Sequence, residues 1–184
     1  MAVQHKATLV DLYKEPGKAE LVNGKVVRLM PTGGDPGYAA DEIFVALREY
    51  AKRLGRGRAV SDNKGFRVNL PGRESFSPDA AFYIGQNPGM KFYEGAPVFA
   101  VEVRSESDYG KEAELAMAQK RADYFAAGTK VVWDVDLLNN DVITSYSFDK
   151  PFAPRVFRRG DVATAEPALS DWQFAVNQLF SDDL

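Results

Sequence analysis

Asp79 and Glu102 are acids set into apolar, β-forming runs, Ser77-Pro78-Asp79-Ala80-Ala81-Phe82-Tyr83 and Val98-Phe99-Ala100-Val101-Glu102-Val103-Arg104. A carboxylate among β-branched and aromatic neighbours is costly to desolvate unless a cation compensates it. Two such carboxylates side by side repel each other, and a hard divalent ion is the usual remedy. Each acid also has a plainer reading. Asp79, in Ser-Pro-Asp, fits a turn residue that bonds its own backbone. Glu102 fits an ion pair with Arg104, two residues along the same strand face. Valines on both sides of Glu102 nevertheless set that acid deep.

The elements that must position this pair are legible around it. Pro78 has no N–H and suits a strand start or edge, so the two runs read as neighbouring strands of one sheet. Upstream, residues 5–14 predict a short helix, and 20–29 a β-hairpin turning at Asn23-Gly24, a pair that tolerates positive φ. Residues 31–37 read as a loop. A helix follows from Tyr38 to Leu54, with Ala40, Ile43, Phe44, Leu47 and Ala51 on one stripe. Strands are expected near 59–60 and 65–70, and an exposed, mobile loop at 85–95. A second helix spans 109–127, capped by Ser107 or Asp108 and stopped at Gly128. A buried strand at 130–135 comes next, then strands at 141–148 and 155–158, an extended 161–163 and a terminal helix at 172–180. The fold class is α+β (mixed α/β), a central mixed sheet flanked by helices, with an N-terminal hairpin and a β-rich C-terminal part, in one domain over 1–184.

Composition removes several chemistries. The 184 residues contain no cysteine and one histidine, His5. Thiolate sites, disulfides, Ser-His triads and histidine-ligated zinc therefore lack parts. No apolar run reads as a signal peptide or membrane span, so a cytoplasmic location with no membrane partner is expected. The net charge is −3, yet Lys52, Arg53, Arg56, Arg58, Lys64 and Arg67 form a basic stretch that can track a phosphate backbone or simply face solvent.

Pro-Asp, a variable stretch, Glu-x-Arg at the end of the next apolar strand and then a helix together resemble the PD-(D/E)XK nuclease motif. A longer series appears in order. It comprises Glu20-Leu21-Val22-Asn23-Gly24-Lys25-Val26-Val27, Gly65-Phe66-Arg67-Val68, Ser77 to Phe82, Val101-Glu102-Val103 with Ser105, Ser107 and Asp108, Lys120 with Tyr124 and Gly128, and Val132-Trp133 with Val135-Asp136. Over about residues 15–180 this is similar to the Uma2 family of restriction-endonuclease-like proteins.

The resemblance implies a restriction-endonuclease-like core and metal-assisted phosphodiester hydrolysis. Asp79 and Glu102, with the Val103 carbonyl, would hold Mg2+ or Mn2+, which oxygen-only ligands favour over Zn2+. Glu20 matches the acid contributed by the first part of the core. The motif lysine is replaced by Arg104, whose pKa is too high for a base but which can hold a phosphate. The resemblance moves the lysine to the following helix, at Lys120, whose plainer reading is a solvated side chain. Pro36 stands where relatives often carry His. DNA is the implied substrate, with Lys64, Arg67, Arg56 and Arg104 along it, and cutting two strands favours a homodimer. The competing reading is a nuclease fold that has lost catalysis and serves as a binding or regulatory module. A glycosidase using Asp79 and Glu102 as an acid/base pair ranks behind both.

Overall fold

The computed structural model describes residues 6–181, so His5 lies outside the described residues. A short helix α1 (Leu9–Leu12) precedes the hairpin β1 (Ala19–Val22) and β2 (Lys25–Arg28). Asn23 and Gly24 sit at φ 52° and 66° in its turn, the left-handed pair that the two-residue turn requires. Helix α2 (Gly34–Leu54) follows, then β3 (Arg58–Ser61), β4 (Phe66–Leu70), β5 (Arg73–Phe76), β6 (Ala80–Tyr83), β7 (Tyr93–Glu94) and β8 (Phe99–Val103). Helix α3 (Lys111–Ala126) leads to β9 (Val131–Val135), β10 (Ile143–Ser147), β11 (Lys150–Phe157), β12 (Val162–Thr164), β13 (Gln173–Ala175) and a 3-10 turn at Val176–Leu179.

Two sheets dominate. The larger runs β11-β10-β9-β8-β6-β3 and the smaller β2-β1-β5-β4-β7, while β12 and β13 pair alone. Within the large sheet β6 and β8 are antiparallel, whereas β8 and β9 are parallel. A parallel pair needs a crossover, and α3 supplies it. Alternation along the central strands sends side chains to two cores. Phe99, Val101, Val103, Trp133 and Val135 pack with Ile43 and Leu47 of α2 and with Trp172, Phe174 and Leu179 of the C-terminal segment. Ala81, Ala100 and Val132 face Phe66, Val68 and Phe76 of the small sheet and Tyr124 of α3. The acids lie on this second face.

Several expectations are corrected. Helix α2 begins four residues before Tyr38, at Gly34, because Pro36 falls in its first turn, where no N–H bond is required. Strand β5 was not anticipated, since Arg-Glu-Ser-Phe offers no apolar alternation; Arg73, Ser75 and Phe76 are all buried. The loop 85–95 contains β7, which pairs in parallel with β4. Neither Ser107 nor Asp108 caps α3, whose N-cap is Gly110; the Asp108 carboxylate instead takes the Ser105 N–H and hydroxyl, each at 2.7 Å. The expected terminal helix is β13 followed by a 3-10 turn.

Candidate active site

Antiparallel pairing of β6 with β8 sets the start of one strand beside the end of the other, and the Asp79 N–H donates to the Val101 carbonyl at 3.0 Å. Asp79 continues the alternation of Ala81 and Tyr83 onto the second core face. Its Oδ2 accepts the Val103 N–H at 2.7 Å. The turn reading of Ser-Pro-Asp is thus replaced: this carboxylate bonds the neighbouring strand rather than its own backbone.

Glu102 shares that face with Ala100. Its Oε2 accepts from the Lys120 ammonium at 2.9 Å and its Oε1 from the Tyr124 hydroxyl at 2.7 Å. Lys120 and Tyr124 are four residues apart on α3, one above the other. The proposed pairing of Glu102 with Arg104 is overturned. Arg104 bonds both carboxylate oxygens of Asp134, at 2.8 and 2.7 Å, and also Glu114. These partners hold the guanidinium above its usual pKa, the Asp134 bonds foremost. Arg104→Leu should lower unfolding stability by about 1–3 kcal/mol in urea titration, because it strips donors from the largely buried Asp134.

Lys120 is not a solvated lysine. Its ammonium lies 2.9 Å from Glu20 Oε1 as well as from Glu102, and its side chain is 17% exposed. Glu20 reaches in from β1 and also binds Arg73 at 2.8 Å and the Ser77 N–H at 2.9 Å. Arg73 in turn bonds Asp123 of α3 at 2.6 Å. The three sequence-selected side chains Glu20, Glu102 and Lys120 therefore meet, with Asp79 on the adjoining strand.

Three participants, Lys18, Asp62 and Arg73, escaped the sequence reading, and a fourth, Tyr124, entered it only in the ordered series with Lys120. Lys18 contacts Asp79 at 2.5 Å and Asp62 at 2.7 Å; Arg73 and Tyr124 brace the acids from β5 and α3. Only Tyr124 carried a signal, its spacing from Lys120. The basic residues are more scattered. Lys64 bonds the Ser61 hydroxyl and the Asp62 carbonyl in the β3–β4 turn. Arg67 faces Glu94 at 3.5 Å, in a cleft of about 740 Å³ that none of the three acids lines, and Arg56 is exposed between α2 and β3.

Electrostatics follow from this crowding. Burial pushes the Glu102 carboxyl up to about 7, against the pull of Lys120 and with repulsion from Asp79 and Glu20 adding to it. Burial also opposes charge on Lys120 and Glu20, yet attraction prevails, from Glu102 and then Glu20 on Lys120, and from Lys120 and then Arg73 on Glu20. Lys120 stays above its usual value and Glu20 below its own. A carboxyl raised in the fold contributes fully below the unfolded value near 4.5, and that contribution is lost as pH rises through about 7. In EDTA, wild type should therefore lose up to about 3 kcal/mol relative to Glu102→Gln between pH 4.5 and 8, read by urea unfolding. Parallel curves for the two proteins would refute this.

Among the described residues no three acid or histidine side chains gather into a ready-made metal cage. Magnesium seldom needs one, since it binds through one or two carboxylates and leaves other positions to water and phosphate. Asp79 and Glu102 offer such oxygens. In the wider network five acids, Glu20, Asp62, Asp79, Glu102 and Asp123, share three cations, Lys18, Arg73 and Lys120. This donor set fits a hard divalent ion.

The model of the family described as "Putative restriction endonuclease" matches residues 7–177. No curated protein matches the chain. The fold is similar to the crystal structure of a protein from Anabaena variabilis ATCC 29413, titled a "putative nuclease belonging to DUF820", with a TM-score of 0.73 and 18% identity. That alignment covers 96% of this chain and 99% of the other, so the two share the whole architecture. Among the described residues no helix is long and apolar enough to cross a membrane.

Proposed function

We propose, from the premise that this chain belongs to the Uma2 family of restriction-endonuclease-like proteins, that it is a Mg2+- or Mn2+-dependent endonuclease hydrolysing DNA phosphodiester bonds. The observation that carries this reading is the Lys120 ammonium, set 2.9 Å from both Glu102 and Glu20 beside Asp79. It restores, from a helix, the third member that position 104 lacks.

Asp79 and Glu102, with the Val103 carbonyl, would hold the ion. When bound it would supply Lewis acidity toward the phosphate and a more acidic water. Lys120, held above its usual pKa by its two carboxylates, is suited to donate a hydrogen bond to the attacking water or to charge developing on phosphate oxygens. Glu20 and Tyr124 fix the direction of Lys120 and Glu102, as a preorganised site requires. Lys64, in the β3–β4 turn next to the cluster, is the basic residue best placed to meet the DNA backbone, with Arg56 and Arg67 further along it. Arg104, held by Asp134 and Glu114, is left to structure. Two copies would cut two strands, and sedimentation with and without DNA reads that assembly.

The test is cleavage of plasmid and single-stranded DNA. Wild type should cut in Mg2+ or Mn2+ and stop in EDTA, while Asp79→Ala and Glu102→Ala should not cut. Equal activity in the variants, or none in wild type, removes the reading. DNA binding by a wild type that never cleaves would favour the binding-module alternative, for which the commitment of Arg104 elsewhere is the supporting observation.

A further inference from the structure

We infer that Lys18 is a positioning residue for the metal: its ammonium holds the free oxygen of Asp79, and a divalent ion must displace it onto Asp62 to bind. This rests on the metal-dependent reading above and extends it to a residue of this chain outside the PD-(D/E)XK pattern.

The two oxygens of Asp79 have separate fates. Oδ2 is spent on the Val103 N–H, at 2.7 Å, leaving Oδ1 as the oxygen able to turn toward an ion beside Glu102. Lys18 sits on that oxygen at 2.5 Å. A hydrogen bond between two charged groups is roughly twice as strong as one between neutral groups. An ion and an ammonium cannot share the same face of one oxygen, so binding of one requires departure of the other.

The structure also supplies a place for Lys18 to go. Asp62 Oδ1 already touches the same ammonium at 2.7 Å. Asp62 is itself fixed, its Oδ1 accepting the Asn63 N–H at 2.6 Å. Asp62 is 36% exposed and Asp79 10%, so Lys18 bridges an outer and an inner acid. Exchange is then a short swing outward, with no ammonium left unpaired in the interior. A cleft of about 180 Å³ lies nearby, lined among others by Gly17, Ala19, Asn63 and Ser77, chain neighbours of these residues, and not by Lys18, Asp62 or Asp79 themselves. Competition of this kind makes metal affinity depend on what stands at position 18, and not merely on how much positive charge stands there.

Mn2+ binding to the full chain without DNA, by titration calorimetry, tests this. Lys18→Gln should bind Mn2+ on the order of tenfold more tightly, the scale on which one adjacent opposite charge alters a carboxylate's affinity for a cation. Lys18→Arg keeps the charge but replaces the point-like ammonium with a planar fork that can grip a carboxylate through two N–H groups; it should bind Mn2+ more weakly than wild type. Lys25→Gln, an exposed lysine on β2, should change little. Lys18→Gln equal to wild type overturns the inference. So does Lys18→Arg equal to wild type, which would reduce Lys18 to background charge. If Lys18→Gln fails to melt cooperatively, the Lys18→Arg comparison decides. Absence of Mn2+ binding in wild type would instead remove the metal reading itself, and this inference with it.

Discussion

Asp79→Asn will cleave DNA at least about 10³-fold more slowly than wild type in saturating Mn2+, while melting within a few degrees of it. Asparagine keeps the shape of the side chain and a carbonyl that can accept the Val103 N–H, now bonded at 2.7 Å. What it loses is the negative charge. Metal assistance is worth several kcal/mol of transition-state stabilisation, and each 1.36 kcal/mol is tenfold in rate. Alanine is the blunter substitution, since it also orphans that N–H at a further cost of about 1–3 kcal/mol. Lys18 retains Asp62 in either variant. Initial rates of plasmid nicking, taken beside a thermal melt, separate chemistry from folding. A rate for Asp79→Asn within tenfold of wild type would sink the assignment of this residue.

Arg73→Met, by contrast, should act on stability first, lowering it by about 3–5 kcal/mol in guanidinium unfolding. The guanidinium is buried between Glu20 at 2.8 Å and Asp123 at 2.6 Å and lies over the Phe76 ring. Methionine would fill part of the volume but leave two acids short of their cation. Removing one partner of a buried pair is costly for that reason, even where the intact pair contributes little. Arg67→Met is the control. Its pair with Glu94 is 3.5 Å long and more than half exposed at both ends, so a change below about 1 kcal/mol is expected. Equal effects from the two substitutions would mean that the buried network does not anchor the small sheet to α3.

How much of this was readable beforehand depended on whether a residue announced itself within its own segment. Asp79 and Glu102 did, because an acid inside an apolar strand contradicts its surroundings, and two such strands in succession tend to pair. The Asn23-Gly24 turn and the stripe on α2 likewise carry local signatures. Lys18 did not. It precedes a hairpin, where lysine is ordinary, and only the β3–β4 turn arriving beside it creates the bridge to Asp62. Strand β5 was hidden for the reverse reason: Arg73 and Ser75 are polar residues buried by partners from elsewhere, the Ser75 hydroxyl taking the Leu21 N–H at 2.8 Å. The C-terminal segment was ambiguous in period. Trp172, Phe174 and Val176 alternate as a strand does, whereas Trp172, Val176 and Leu179 fit a helix. Burial of Phe174 against both tryptophans settled it as a strand.

Helix α3 crosses from β8 to its parallel neighbour β9 with Lys120, Asp123 and Tyr124 within little more than one turn. A lysine two residues after Glu102 would have been bound to the pleat of that strand, its reach fixed by backbone geometry alone. Mounted on the crossover, it is placed by the spacing between helix and sheet instead. That spacing is set where Tyr124 lies flat on Phe76, ring centroids 4.0 Å apart. The aromatic pair is therefore a shim: its thickness decides how far Lys120 stands from the acids, and changes in the core beneath the helix retune the site without touching a charged residue.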